Sequence, residues 1–227
     1  MAPTPHHTAH FRPVNPSVIV LAILGALLGL TADRIAARWP VHADGAVRPT
    51  DWRTAVVLTG STLAFAALAA RWTEPRDLAV VGLYTAVLIV LLATDLDQKL
   101  LPDLLTLPLI GYALVVLLLG WNPMLAGKDF GIPSAIIAAV GAPILLLVSD
   151  RVLRGALGMG DVKLSVSLGL MTGITLLIGG FLVASVLSAV VLIALIALRR
   201  LTLRSAIPFG PILIAGGIIA MLLPGSA

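Results

Sequence analysis

Between Val162 and Leu198 the sequence carries a single charged side chain, Lys163. So long an apolar run points away from a soluble domain, and it exceeds the ~20 residues that one bilayer crossing needs. The tripeptide "MTG" at Met171–Gly173 punctuates it. The run is expected to divide there, into a short helix from Val162 to about Leu170 and a longer one behind it. Five earlier stretches also read as membrane helices: Val18–Ala32, Thr54–Ala70, Leu78–Thr94, Leu104–Gly120 and Ile132–Val148. A last helix is expected from about Pro211 to Leu223. The residues are 59% hydrophobic and 11% charged, with a mean hydropathy of +1.07; so few charges cannot cover a soluble surface. The expected fold is all-α, a polytopic membrane bundle of about eight helices whose sixth is too short to span comfortably.

The opening "MAPTPHHTAHFRPVNP" is polar and Pro-rich, with no cleavable signal peptide, and reads as a disordered tail over residues 1–16. Its three histidines read as inert rather than metal-binding. The chain has no cysteine, which excludes disulfides, thiolate-bound zinc and a thiol nucleophile. His42 is the only other histidine, so a Ser-His hydrolase scheme lacks parts. Chemistry must come from carboxylates, lysine, hydroxyls or backbone, with no metal or other cofactor expected. The net charge of +4 reports orientation rather than a nucleic-acid partner. With the N-terminus outside, eleven cations fall in inner loops: Arg34, Arg38, Arg48, Arg53, Lys99, Arg151, Arg154, Lys163, Arg199, Arg200 and Arg204. Arg12, Arg71, Arg76 and Lys128 fall outside. That imbalance favours a cytoplasmic first set and places both termini outside.

The acids divide in two. Asp33, Asp44, Asp51, Glu74, Asp77, Asp129 and Asp150 lie in loops or at helix ends beside basic or polar residues and read as solvated charges. The other four sit where acids are costly. "TDLDQKLLPD" places Asp95, Asp97 and Asp103 between the third and fourth helices, and "GMGD" places Asp161 at the start of the sixth. Asp95 ends the apolar run "LYTAVLIVLLATD" and should be packed among helices. Asp97 points to the opposite side and reads as a solvated interfacial acid. Asp103 follows Pro102, a residue suited to a first helical turn, and reads as a helix cap. At "GMGD" the glycines allow positive φ or a close approach. A turn with Asp161 as its N-cap is the competing reading.

"DLDQKLLPD", "GMGDVKL" and then "IPFGP" at Ile207–Pro211 resemble, in order, the motifs of the type IV prepilin peptidases, intramembrane aspartyl proteases of the Gly-x-Gly-Asp class. The resemblance covers Leu78 to the C-terminus. It implies Asp95 and Asp161 as the catalytic pair, with Pro102, Gly158, Gly160 and Lys163 as active-site support around them and Val162 completing the motif. It also implies membrane lipid as surroundings and prepilin-like substrates, cut after a short basic leader just before a hydrophobic helix. Helix-end fields assign Asp161 the water-activating role and Asp95 the proton-donating one. The segment around Gly25–Pro40 resembles, in degenerate form, the one that precedes a loop with paired Cys-x-x-Cys motifs in bifunctional members. Those cysteines are absent, so the resemblance implies a peptidase and not a methyltransferase. Residues 17–77 are then N-terminal helices with a short cytoplasmic loop, and 78–227 the peptidase core. Two alternatives remain: a related intramembrane aspartyl protease with another substrate, and a transporter or proton relay. Clustering of the acids at one face argues against the second.

Overall fold

In the computed structural model the described residues are 16–40, 45–127, 130–152, 158–197 and 209–223, and every regular element among them is helical. The tail over residues 1–15 lies outside the described residues, as do Gly155, Ile207 and Pro208. The helices are α1 (Pro16–Ala36), α2 (Trp52–Arg71), α3 (Pro75–Gln98), α4 (Asp103–Leu118), α5 (Gly131–Val152), α6 (Met159–Ala197) and α7 (Phe209–Ala220). Five of them, α1, α2, α3, α5 and α6, are long and apolar enough to cross a membrane, while α4 and α7 are shorter apolar helices. The chain is a multi-pass membrane protein.

Local chemistry sets the boundaries that matter for the site. Asp51 caps α2 and forms a reciprocal box with Thr54, which satisfies otherwise unpaired first-turn amides. Pro75 opens α3, where its missing N–H costs nothing. The same helix stops at Lys99, a non-glycine residue in the left-handed region with φ 55°. Its N–H closes on the Asp95 carbonyl at 2.9 Å. Three residues later Pro102 is the N-cap of α4, and its carbonyl accepts from the N–H groups of Leu105 and Thr106 at 2.9 and 3.1 Å. Pro102 therefore precedes the helix instead of occupying its first turn. Asp103 takes that position, and its carboxylate is held by Lys163 and caps no backbone amide.

Helix α6 has 39 residues, about 58 Å if straight, against a hydrocarbon core of about 30 Å. It breaks at Gly173, with φ 66° and ψ −179°, a conformation essentially confined to glycine. The break expected at Met171–Gly173 falls on the last of those residues, and counting the two segments separately gives eight helical segments. Backbone groups freed there find side chains. Ser134 Oγ accepts from the Ile174 N–H at 2.9 Å, and Asn122 Nδ2 donates to the Met171 carbonyl at 2.9 Å. A helix can be interrupted at membrane depth only when such partners exist.

Packing centres on α3. Its Tyr84, Leu88 and Leu91 enter one core with residues of α4, α6 and α7, while Ile89 and Ala93 enter a second with α1 and α2. Where α1 and α3 end and α2 begins, six charges meet. Asp33 is bound by Arg34, by Arg48 and by Thr54 Oγ1 at 2.8 Å. Arg48 also pairs with Asp51 and, through Nε at 2.6 Å, with Asp97. Arg53 reaches Asp97 at 2.9 Å. Burial works against the charge on Arg48, but Asp33, Asp97 and Asp51 more than offset it, so the guanidinium holds its proton more tightly than usual. The side chains of Asp33 and Asp97 are 1% exposed. Both read as solvated in the sequence, and both are buried. The loop before α2 folds back across the helix ends and brings Arg48 with it.

Candidate active site

Asp95 lies on the last turn of α3 and Asp161 on the first turn of α6, and they are 9% and 8% exposed. Sixty-odd residues separate them in sequence, yet the structure brings them close enough for the two carboxylates to interact electrostatically.

Asp161 is not the N-cap of its helix. Gly158 holds that place, and Asp161 is the third helical residue, whose Oδ2 accepts from the Gly158 N–H at 3.3 Å. This is half of a capping box. Its other oxygen, Oδ1, is buried with no hydrogen-bond partner among the described residues. One oxygen is anchored and the other left as an unused acceptor, which a water or a substrate group can satisfy.

Neither Gly158 nor Gly160 has positive φ, so of the two reasons for glycine only the close approach holds, and it holds at Gly160. A Cβ there would lie 2.6 Å from Leu101 Cβ and 3.1 Å from the Leu101 carbonyl oxygen. The Leu101–Pro102 pair thus sets the α3–α4 turn directly on the turn that presents Asp161. Lys163 completes the junction by donating to both oxygens of Asp103 at 2.6 and 2.7 Å. Lys163 therefore ties α6 to α4, and its ammonium is engaged by Asp103 instead of supporting Asp161.

Sequence reasoning missed Gly210. A Cβ at that position would lie 2.6 Å from Oδ2 and 2.9 Å from Oδ1 of Asp95, so the start of α7 lays bare backbone against the carboxylate. The signal was the "FGP" within "IPFGP", noted as a motif without a role for its glycine. Gly160→Ala and Gly210→Ala are each expected to lower turnover by about tenfold or more, since ångström displacements of reacting groups are costly. Gly158→Ala should be milder, because its Cβ would meet Asp161 Oδ2 at an ordinary 3.4 Å. Initial rates of the peptidase reaction that the sequence motifs imply, measured at equal membrane levels, check the ranking.

Among the described residues no group of three His, Asp or Glu side chains could hold a metal. What the site offers is two carboxylates sharing one end of the bundle. One can keep a proton while the other draws a proton from water.

A multi-pass helical bundle with a buried pair of aspartates at one end defines a membrane protein with a dicarboxylate site. Residues 82–193, which include both aspartates, match the type IV leader peptidase family, and the chain belongs to that family. It is 40% identical over 144 residues to a prepilin leader peptidase/N-methyltransferase of Aeromonas salmonicida, covering 62% of this chain and 47% of the relative. A protein of the same name from Burkholderia pseudomallei is 35% identical over 167 residues, 71% of this chain and 52% of the relative. Another from Bacillus subtilis is 28% identical over 162 residues, 70% and 61% respectively. The chain spans about half the length of the first two relatives. No solved structure matches it.

Proposed function

We propose that this chain is an aspartic endopeptidase that removes the basic leader from prepilin-like membrane proteins, using Asp95 and Asp161 as its catalytic pair. The observation that carries the reading is the buried juxtaposition of these two acids within the segment that matches the family. In the proposed step Asp161 takes a proton from water, the hydroxide adds to the scissile carbonyl, and protonated Asp95 donates to the carbonyl oxygen. Collapse of the tetrahedral species with a proton to the leaving amine frees the leader. Pro102, Gly158 and Gly160 support the pair by fixing the two turns that carry it, and residues 78–227 form the peptidase core. The site lies at the bundle end that also gathers Arg34, Arg48, Arg53, Lys99 and Lys163, which supports a cytoplasmic active site and external termini. Co-expression with a type IV prepilin tests the reading: a peptidase shortens it at the leader, whereas a transporter or proton relay leaves it intact.

The relatives' name includes a methyltransferase activity, which the present reading does not extend to this chain. Its α1–α2 connection has no cysteine to hold zinc by thiolate. Purified protein supplied with S-adenosylmethionine is expected to leave the new N-terminus unmethylated, and EDTA is expected to leave the cleavage rate unchanged. Mass spectrometry of the mature N-terminal peptide reads the first. Metal-reversible loss of cleavage would contradict the second and, with it, the purely carboxylate mechanism.

A further inference from the structure

Helices α5, α6 and α7 enclose an apolar groove of about 420 Å³. Its walls repeat at helical spacing, with Ile137, Gly141 and Leu145 along α5 and Ile174, Ile178 and Leu182 along α6. Two steps of four residues make each wall about 12 Å long, a little over two turns. Gly141 gives the groove depth: a Cβ there would meet nothing within 4 Å, and its φ is not in the left-handed region. Neither packing nor backbone geometry asks for glycine, which is poorly suited to a helix interior. The space it leaves open deepens the groove. One end of the groove lies about a helical turn from the aspartates, which are not themselves part of its lining. Ser165, a polar residue of the lining, follows Asp161 by one helical turn, and Phe209 precedes the glycine that lies against Asp95.

We propose that this groove seats the apolar transmembrane helix of the substrate and so delivers the adjoining peptide bond to Asp95 and Asp161. The proposal rests on the peptidase reading above. A leader precedes the segment it leaves, so the bond lies at the N-terminal end of the seated helix. A helix suits the groove better than an acyl chain does. Two walls stepped by four residues accept a ridge of side chains with the same step. The small residues between them, Ala138 and Ala142, let a backbone come close, which is how helices associate inside lipid.

Gly141→Leu puts an apolar side chain into the groove from a position where a Cβ meets nothing within 4 Å. In membranes containing the whole chain it should raise KM for a full-length type IV prepilin about tenfold or more, with kcat near wild type. Cleavage of a soluble peptide holding only the leader and the first mature residues should be unchanged. Equal losses on both substrates, or no change on either, would overturn the groove. Cross-linking decides independently, and decides alone if the wild type cuts only the full-length prepilin. The chain has no cysteine, so Ile178→Cys supplies a unique thiol. In an Asp161→Asn background, oxidation should join it to a cysteine in the prepilin helix. Ile144→Cys, on α5 outside the groove and equally exposed at 54%, should not react. Equal reaction at both positions, or none at Ile178, would assign the groove to lipid. A wild type that cuts neither substrate would remove the peptidase reading itself and the groove with it.

Discussion

Asp161→Asn and Asp95→Asn are each expected to reduce prepilin cleavage by at least about 10³-fold, in the upper range for losing a positioned proton donor or acceptor. The amide is nearly isosteric, and in Asp161→Asn its carbonyl can still accept from the Gly158 N–H, so the start of α6 is retained. What disappears is the ionisable oxygen. The variants should accumulate in the membrane fraction at wild-type levels while the prepilin stays at full length on a gel. Asp97→Asn separates chemistry from structure. Asp97 is bound by Arg48 and Arg53, so its loss should lower thermal stability and leave cleavage largely intact. An inactive Asp97→Asn beside an active Asp95→Asn would transfer the catalytic role to Asp97.

Arg48→Met should be the most destabilising single change at the arginine–aspartate cluster. Arg48 pairs with Asp33, Asp51 and Asp97, and two of those carboxylates are almost fully buried. Removing one partner of a buried ion pair costs about 3–5 kcal/mol, because the remaining charge is left uncompensated. Arg48→Lys should recover only part of this, since one ammonium cannot reach three carboxylates as a guanidinium fork does. Thermal unfolding in detergent measures both variants. A loss below about 1 kcal/mol for Arg48→Met would mean that water screens the cluster as it does surface pairs.

The helices and the break in α6 were legible because hydropathy and a glycine in an apolar run are local properties. The aspartates were legible for a different reason: an acid at the end of an apolar helix is conspicuous wherever the chain goes next. The arginine–aspartate cluster was not. Asp33, Arg48, Asp51 and Asp97 each look like ordinary loop charges within their own windows, and only folding of the loop over the ends of α1 and α3 makes them partners. Gly210 escaped notice because its role depends on a carboxylate more than a hundred residues away. Gly160 was noticed for two possible reasons, and only the contact with Leu101 selects between them.

The segment of α6 ahead of Gly173 is held at both ends. Asn122 and Ser134 fasten the break, and Leu101 and Asp103 fasten the end that carries Asp161. Fourteen residues span about 21 Å, roughly 9 Å less than the hydrocarbon thickness of a typical bilayer. From Leu164 to Thr172 every residue but Val166 is buried, so protein and not lipid surrounds this segment. A buried strut shorter than the bilayer sets the end that carries Asp161 below the level that a full-length span would reach. The depth of the pair is then a fixed dimension of the bundle, set by where the strut is fastened.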